Sequence, residues 1–205
     1  GTKDTPKNEK LTYARYAPKT YLTNKQLTAF EETQQRNNVG FMKSRLVKRL
    51  ESSKYAFEMT LKRSIKSHEK MIKMYESGSV YISKDINVLD YIDDDTKTIE
   101  DLLEKGKEKE LEIFSSADFS KDFIKNIKQD LSLLKELLSE WQAIKHDYKQ
   151  EEFVSQLHSN KLLKDKKIVI FTESAETAEN LYNALKDEYG DSVLYYSSGQ
   201  KDELK

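Results

Sequence analysis

The sequence predicts a mainly α-helical chain with a C-terminal α/β piece, in which long antiparallel helices lead into a truncated β-α-β unit. Three observations predict it. The 205 residues include only 6 Gly and 2 Pro, too little turn punctuation for an all-β domain. Long stretches repeat apolar residues every three or four positions, the period of an amphipathic helix. Past residue 161 that period gives way to a continuous β-branched and aromatic run, as in a strand covered on both faces.

Residues 1–10 are polar and aperiodic and read as a frayed lead-in. Tyr13, Tyr16 and Tyr21 then gather around Arg15 and Pro18, and Pro18 turns Ala17 away from helix. Residues 1–40 are assigned as a lead-in or linker. Over residues 40–77 a stripe of Leu46, Leu50, Phe57, Leu61, Ile65, His68, Ile72 and Tyr75 predicts one helix of roughly 55 Å, stopped by Gly78. Val80-Tyr81-Ile82 is β-prone, and the acidic trio Asp93-Asp94-Asp95 follows. A second helix is expected over 98–114 and a third over 119–148, with Phe123, Ile127, Leu131, Leu134, Trp141 and Ile144 inward. A short helix over 151–158 closes the helical region, 41–160, which can bury its stripes as an antiparallel bundle or hairpin. In 161–205 a strand over 167–172 precedes a helix capped by Ser174 and ended by Gly190, and Val193-Leu194-Tyr195-Tyr196 forms a second strand. Two strands do not make a stable sheet, so the chain reads as a piece of a longer protein. Gly1 in place of an initiator Met points the same way.

Composition limits the chemistry. With no Cys there is no disulfide, thiolate zinc site, iron–sulfur ligand or cysteine nucleophile. No apolar run approaches a membrane span and no signal peptide is visible, which predicts a cytoplasmic chain without a membrane partner. Lys201-Asp202-Glu203-Leu204 is followed by Lys205 and so is not a retention signal. The net charge of −1 hides a segregation. Residues 40–77 hold ten basic and four acidic side chains, and residues 85–118 hold four basic and twelve acidic ones.

No phosphate loop, dinucleotide fingerprint or nucleophile elbow occurs. His68, His146 and His158 lack mutual ligand spacing and read as packed or surface residues. The basic stretch, with Lys43, Arg45, Lys48 and Arg49, is the candidate for polyanion binding, against the alternative of a solvated face. Tyr13-Ala14-Arg15-Tyr16 could stack on bases or pack against a neighbour. In a parallel sheet, ligands bind beyond the carboxyl ends of the strands. Thr172, Glu173 and Ser174 hold that position after the first strand; Ser197, Ser198 and Gly199 hold it after the second.

The stretch from Lys167 to Lys186 (KIVIFTESAETAENLYNALK) resembles the first strand and helix of the second RecA-like lobe of superfamily-two helicases and translocases, the region called motif IV. Thr172, Thr177, Ala178 and Leu181 carry the match, and Asp147-Tyr148-Lys149 with Phe153 to Leu157 resembles the entry to that lobe. Lys48-Arg49-Leu50-Glu51-Ser52-Ser53, followed by Tyr55-Ala56-Phe57, resembles the helix that joins the lobes in bacterial relatives of the Swi/Snf-type remodelling ATPases. Tyr13-Ala14-Arg15-Tyr16 resembles the segment before that helix.

The resemblance implies part of a nucleic-acid-stimulated ATPase, a DNA helicase or translocase. It would contribute the helical region between lobes and the start of the C-terminal RecA-like lobe. The implied nucleic-acid contacts are Thr172, Ser174, Ser198 and Gly199, with Arg45, Lys48 and Arg49 as further phosphate contacts. ATP and Mg are expected for the parent protein but no cofactor for this fragment, because every catalytic group would lie outside it. The implied partners are duplex DNA and the missing RecA-like lobe. The alternative is a non-enzymatic helical adaptor or protein-interaction domain.

Overall fold

The computed structural model describes residues 10–83, 111–163 and 166–196. Helices α1 (Ala29–Ser52), α2 (Lys54–Glu76), α3 (Lys121–Ala143), α4 (Tyr148–Ser159) and α5 (Ala175–Tyr189) dominate. Strands β1 (Ser79–Ser83) and β2 (Leu111–Ser115) pair antiparallel. The chain divides into two compact units, one of Gly1–Arg45 with Thr60–Glu140, the other of Leu46–Met59 with Trp141–Lys205.

In the first unit α1 begins at Ala29 with a reciprocal cap. Thr28 Oγ1 accepts from Glu31 N at 3.2 Å, and Glu31 Oε2 accepts from Thr28 N at 3.0 Å. Gly78, at φ 93°, ends α2 in a backbone region that favours glycine and turns the chain into β1. The β1–β2 register sets Val80 opposite Phe114 and Ile82 opposite Glu112. Val80 and Ile82 are buried, while Ile113 is exposed, the two-residue alternation of a one-sided sheet.

Ala14, Met71, Val80, Ile82, Phe119, Phe123 and Ile127 form the core. Phe123 stacks on Phe119 at 4.5 Å between centroids and also meets Tyr21 and Tyr75. Tyr16 packs with Met42, Tyr13 and Val39 in a smaller cluster.

The segment before α1 is tied down along its length. Two 3-10 turns, Ala14–Tyr16 and Pro18–Tyr21, bury Ala14 and Tyr16. Ser120 N donates to Tyr21 O, and Thr23 N to Asp118 O, each at 2.8 Å. Lys19 is buried and ion-paired with Glu112 and Glu31. The most buried anchor is Asp130 on α3, 1% exposed, which accepts from Thr12 N at 2.6 Å and Thr12 Oγ1 at 2.9 Å.

In the second unit the single helix expected over 40–77 is interrupted. Ser53 Oγ accepts from Ala56 N at 3.0 Å and caps α2, because a serine hydroxyl competes for backbone donors. Backbone bonds from Ser53 N to Arg49 O and from Phe57 N to Ser53 O still span the break. Trp141 packs edge-on against Phe57 at 4.8 Å, and its Nε1 donates to Lys54 O at 3.1 Å. Asp147 caps α4 through Gln150 N at 3.1 Å, so helix stops at Ala143 and restarts at Tyr148.

Two further differences from expectation concern strands. Leu111–Phe114, expected as the end of a helix, is strand β2, because pairing with β1 overrides local periodicity. The rest of that helix and the acidic trio lie outside the described residues. Helix α5 forms with Ser174 as its cap and Gly190, φ 56°, at its end. The stretches on either side of it, 167–172 and 193–196, pair in no ladder among the described residues. Val169 and Phe171 are 76% and 91% exposed. The structure is thus mainly helical with a two-stranded antiparallel sheet.

Candidate functional site: a polar joint at the start of α5

Within the second unit, the last turn of α1 and the first turn of α5 share a network of hydroxyls and one ion pair. Ser174 Oγ accepts from Thr177 N at 3.2 Å, satisfying a free donor of the first helical turn. Arg49 donates from the same guanidinium nitrogen to Ser174 Oγ at 2.7 Å and to Glu176 Oε2 at 3.0 Å. Ser174 Oγ in turn donates to Glu176 Oε2 at 3.0 Å. Glu176 lies in the first turn, where the helix dipole also favours a carboxylate. The Thr177 hydroxyl bonds Ser52 Oγ and Ser53 Oγ, each at 2.8 Å. Lys149 completes the joint by donating to the Glu51 and Ser52 carbonyls at the end of α1.

The joint gathers three of the seven candidate nucleic-acid contacts. Arg49 and Ser174 are bonded to each other, and Thr172 Oγ1 accepts from Ser174 N at 3.2 Å. Ser174 is 2% exposed and its hydroxyl is fully used, so it acts here as cap and fastener. Thr172 and Lys48 face solvent, with Lys48 4.0 Å from the carboxylate of the exposed Glu173. Arg45 belongs to the first unit, where its charge acts on Tyr16. Ser198 and Gly199 lie outside the described residues.

Sequence reasoning missed Ser52, Ser53, Glu176 and Lys149 as members of this network. The Ser52-Ser53 pair at the end of a basic helix was the available signal.

The carboxylate of the joint is paired with Arg49, and the sequence holds no phosphate loop. Among the described residues no group of three or more His, Asp or Glu side chains could hold a metal ion. No helix among them is long and apolar enough to cross a membrane.

His68 is packed in the first unit, and His146 and His158 sit on the surface beside Glu151 and Glu188. Arg15 lies over the Tyr16 ring at 5.4 Å, and Tyr16 itself is buried, so this aromatic–arginine pair is used in packing.

Compared with known proteins, the chain matches no family model, no curated protein and no solved structure.

Proposed function

We infer that this chain is a fragment of an ATP-dependent DNA helicase or translocase, contributing the helical region between the lobes and the motif IV end of the second RecA-like lobe. One observation carries the inference. The two stretches that resemble the family, Lys48–Ser53 and Lys167–Lys186, lie far apart in sequence, and they are fastened by Arg49–Ser174, Arg49–Glu176 and Ser52/Ser53–Thr177 bonds. The exposed apolar run Ile168–Phe171 adds support, since it has the composition of a buried strand and lacks a sheet to enter.

On this reading the joint makes the end of α1 and the start of α5 move as one piece, so a displacement of the joining helix is passed to Thr172 and its neighbours. Thr172 and Lys48, both exposed beside the joint, are the residues left to touch a phosphate backbone. ATP, Mg and every catalytic group belong to other parts of the parent protein.

The test is to purify the complete product of the gene that encodes this segment and compare it with the 205-residue chain. Duplex DNA should stimulate ATP hydrolysis by the former and not by the latter. A complete product without a phosphate-loop motif and without DNA-stimulated hydrolysis would overturn the inference and favour a helical adaptor.

A further inference from the structure

We propose that the first unit carries a second polyanion surface, a lysine face shared by α2 and α3, that lies along the phosphate backbone of duplex DNA. The proposal rests on the motor reading only for the choice of DNA over other polyanions.

Lys66, Lys70 and Lys73 follow one another at four- and three-residue steps and so share a face of α2. Lys121, Lys125 and Lys128 do the same on α3, and Lys135 falls on that face two turns further on. Lys66, Lys73 and the four lysines of α3 are exposed, and Lys70 is half-buried.

The two faces are brought edge to edge by ion pairs that also fix the helices as antiparallel. Glu76 meets Lys128 at 2.9 Å, and Glu69 meets Lys135 at 2.6 Å. These pairs occupy the two acidic residues that α2 carries from Lys66 onward. Seven lysines therefore stand against two carboxylates along the seam. Of the other acidic residues on the surface of α3, Glu136 and Glu140 lie roughly 80–120° round the helix from Lys128, on the side away from Lys135, while Asp122, three residues before Lys125, borders the lysine face at its first turn.

The face is rigid, because α2 and α3 bury Met71, Phe123, Ile127 and Leu134 on their opposite sides. The lysines of α3 extend over about 21 Å of helix axis. With one phosphate per about 3.4 Å of axis on each strand, that length spans roughly six phosphates of one strand.

The test measures binding of the 205-residue chain to a short fluorescent duplex over a range of salt concentrations. The comparison is with the variant Lys66→Gln, Lys70→Gln, Lys73→Gln, Lys125→Gln, none of whose lysines belongs to the Glu69 or Glu76 pairs. Affinity should drop by about tenfold or more at low salt. The slope of log affinity against log salt should shrink by roughly 0.9 for each phosphate that the variant no longer neutralises.

An unchanged affinity and slope in a variant with the same circular dichroism would overturn the proposal. So would polyglutamate binding as tightly as the duplex, which would assign the face to an acidic protein. A variant that does not fold is replaced by Lys66→Gln with Lys73→Gln, read the same way with a smaller change. Because ATP hydrolysis is not measured, failure here and failure of the motor reading are separable.

Discussion

Lowering the pH should remove stability from the first unit through a single ring, His68. Its Nδ1 lies 2.7 Å from the Ser64 carbonyl oxygen, which can only accept, so Nδ1 carries the proton of the neutral imidazole. Nε2 is buried without a hydrogen-bond partner, and the residue is 1% exposed. Burial first, and the nearby Arg15 guanidinium second, push the pKa from its ordinary 6.5 down to about 4, with the Ser64 carbonyl pulling the other way.

The folded-state pKa lies below the unfolded one, so as pH falls the unfolded chain takes up the proton first. The contribution is therefore complete above about pH 6.5, declines below it and is gone once pH passes about 4. At about 1.4 kcal/mol for each pH unit between those values, the loss amounts to about 3 kcal/mol. Urea unfolding followed by far-UV circular dichroism across this range measures it. With an m-value of about 2–3 kcal/mol/M, the midpoint should fall by about 1 M. His68→Asn retains an N–H for the Ser64 carbonyl and does not titrate, so its midpoint should be flatter over the same range. Parallel curves for the two proteins would refute the reasoning.

Two other perturbations have definite expected outcomes. Asp130→Ala strands the donors of Thr12 in a buried place and should cost about 3 kcal/mol, while Asp130→Asn retains one acceptor and should cost about 1 kcal/mol, both by urea unfolding. Burial raises the Asp130 pKa, so its own contribution is greatest below the usual carboxylate range and is lost as pH rises through the folded value, opposite in sense to His68. Ser174→Ala removes the α5 cap and should cost about 1 kcal/mol. A double-mutant cycle with Arg49→Ala should show coupling of about 1 kcal/mol in thermal melts, and additivity would mean the joint is not cooperative.

What the sequence made legible was what depends on neighbours in the chain. Ser174 as a cap, Gly78 and Gly190 as helix stops and the inward stripe of Phe123, Ile127 and Leu134 all follow from short-range pattern. The break at Ser53 was hidden because apolar residues continue on both sides of it, and one hydroxyl decides the cap. The strand identity of Leu111–Phe114 was hidden because its partner is Val80–Ile82, across a long connection. Half of the polar joint was legible: Arg49 was marked for its charge and Ser174 for its cap. That each is the other's partner is a contact between residues 125 positions apart, which no local period encodes. Tyr13 to Tyr16 fall within the lead-in assigned over 1–40, yet Ala14 and Tyr16 are core, and the gathering of tyrosines around Arg15 is the local sign that this stretch packs.

The anchoring of Thr12 by Asp130 also has a consequence for the order of events during synthesis. The two residues are separated by 118 positions, and Thr23 and Asp118 by 95. On a growing chain α1 and α2 can coil as soon as they emerge, but Ala14 has no complete core to enter until Phe119, Phe123 and Ile127 have been made. The first unit must therefore hold its opening residues in waiting and close over them late, with loop-closure entropy setting the pace of that last step.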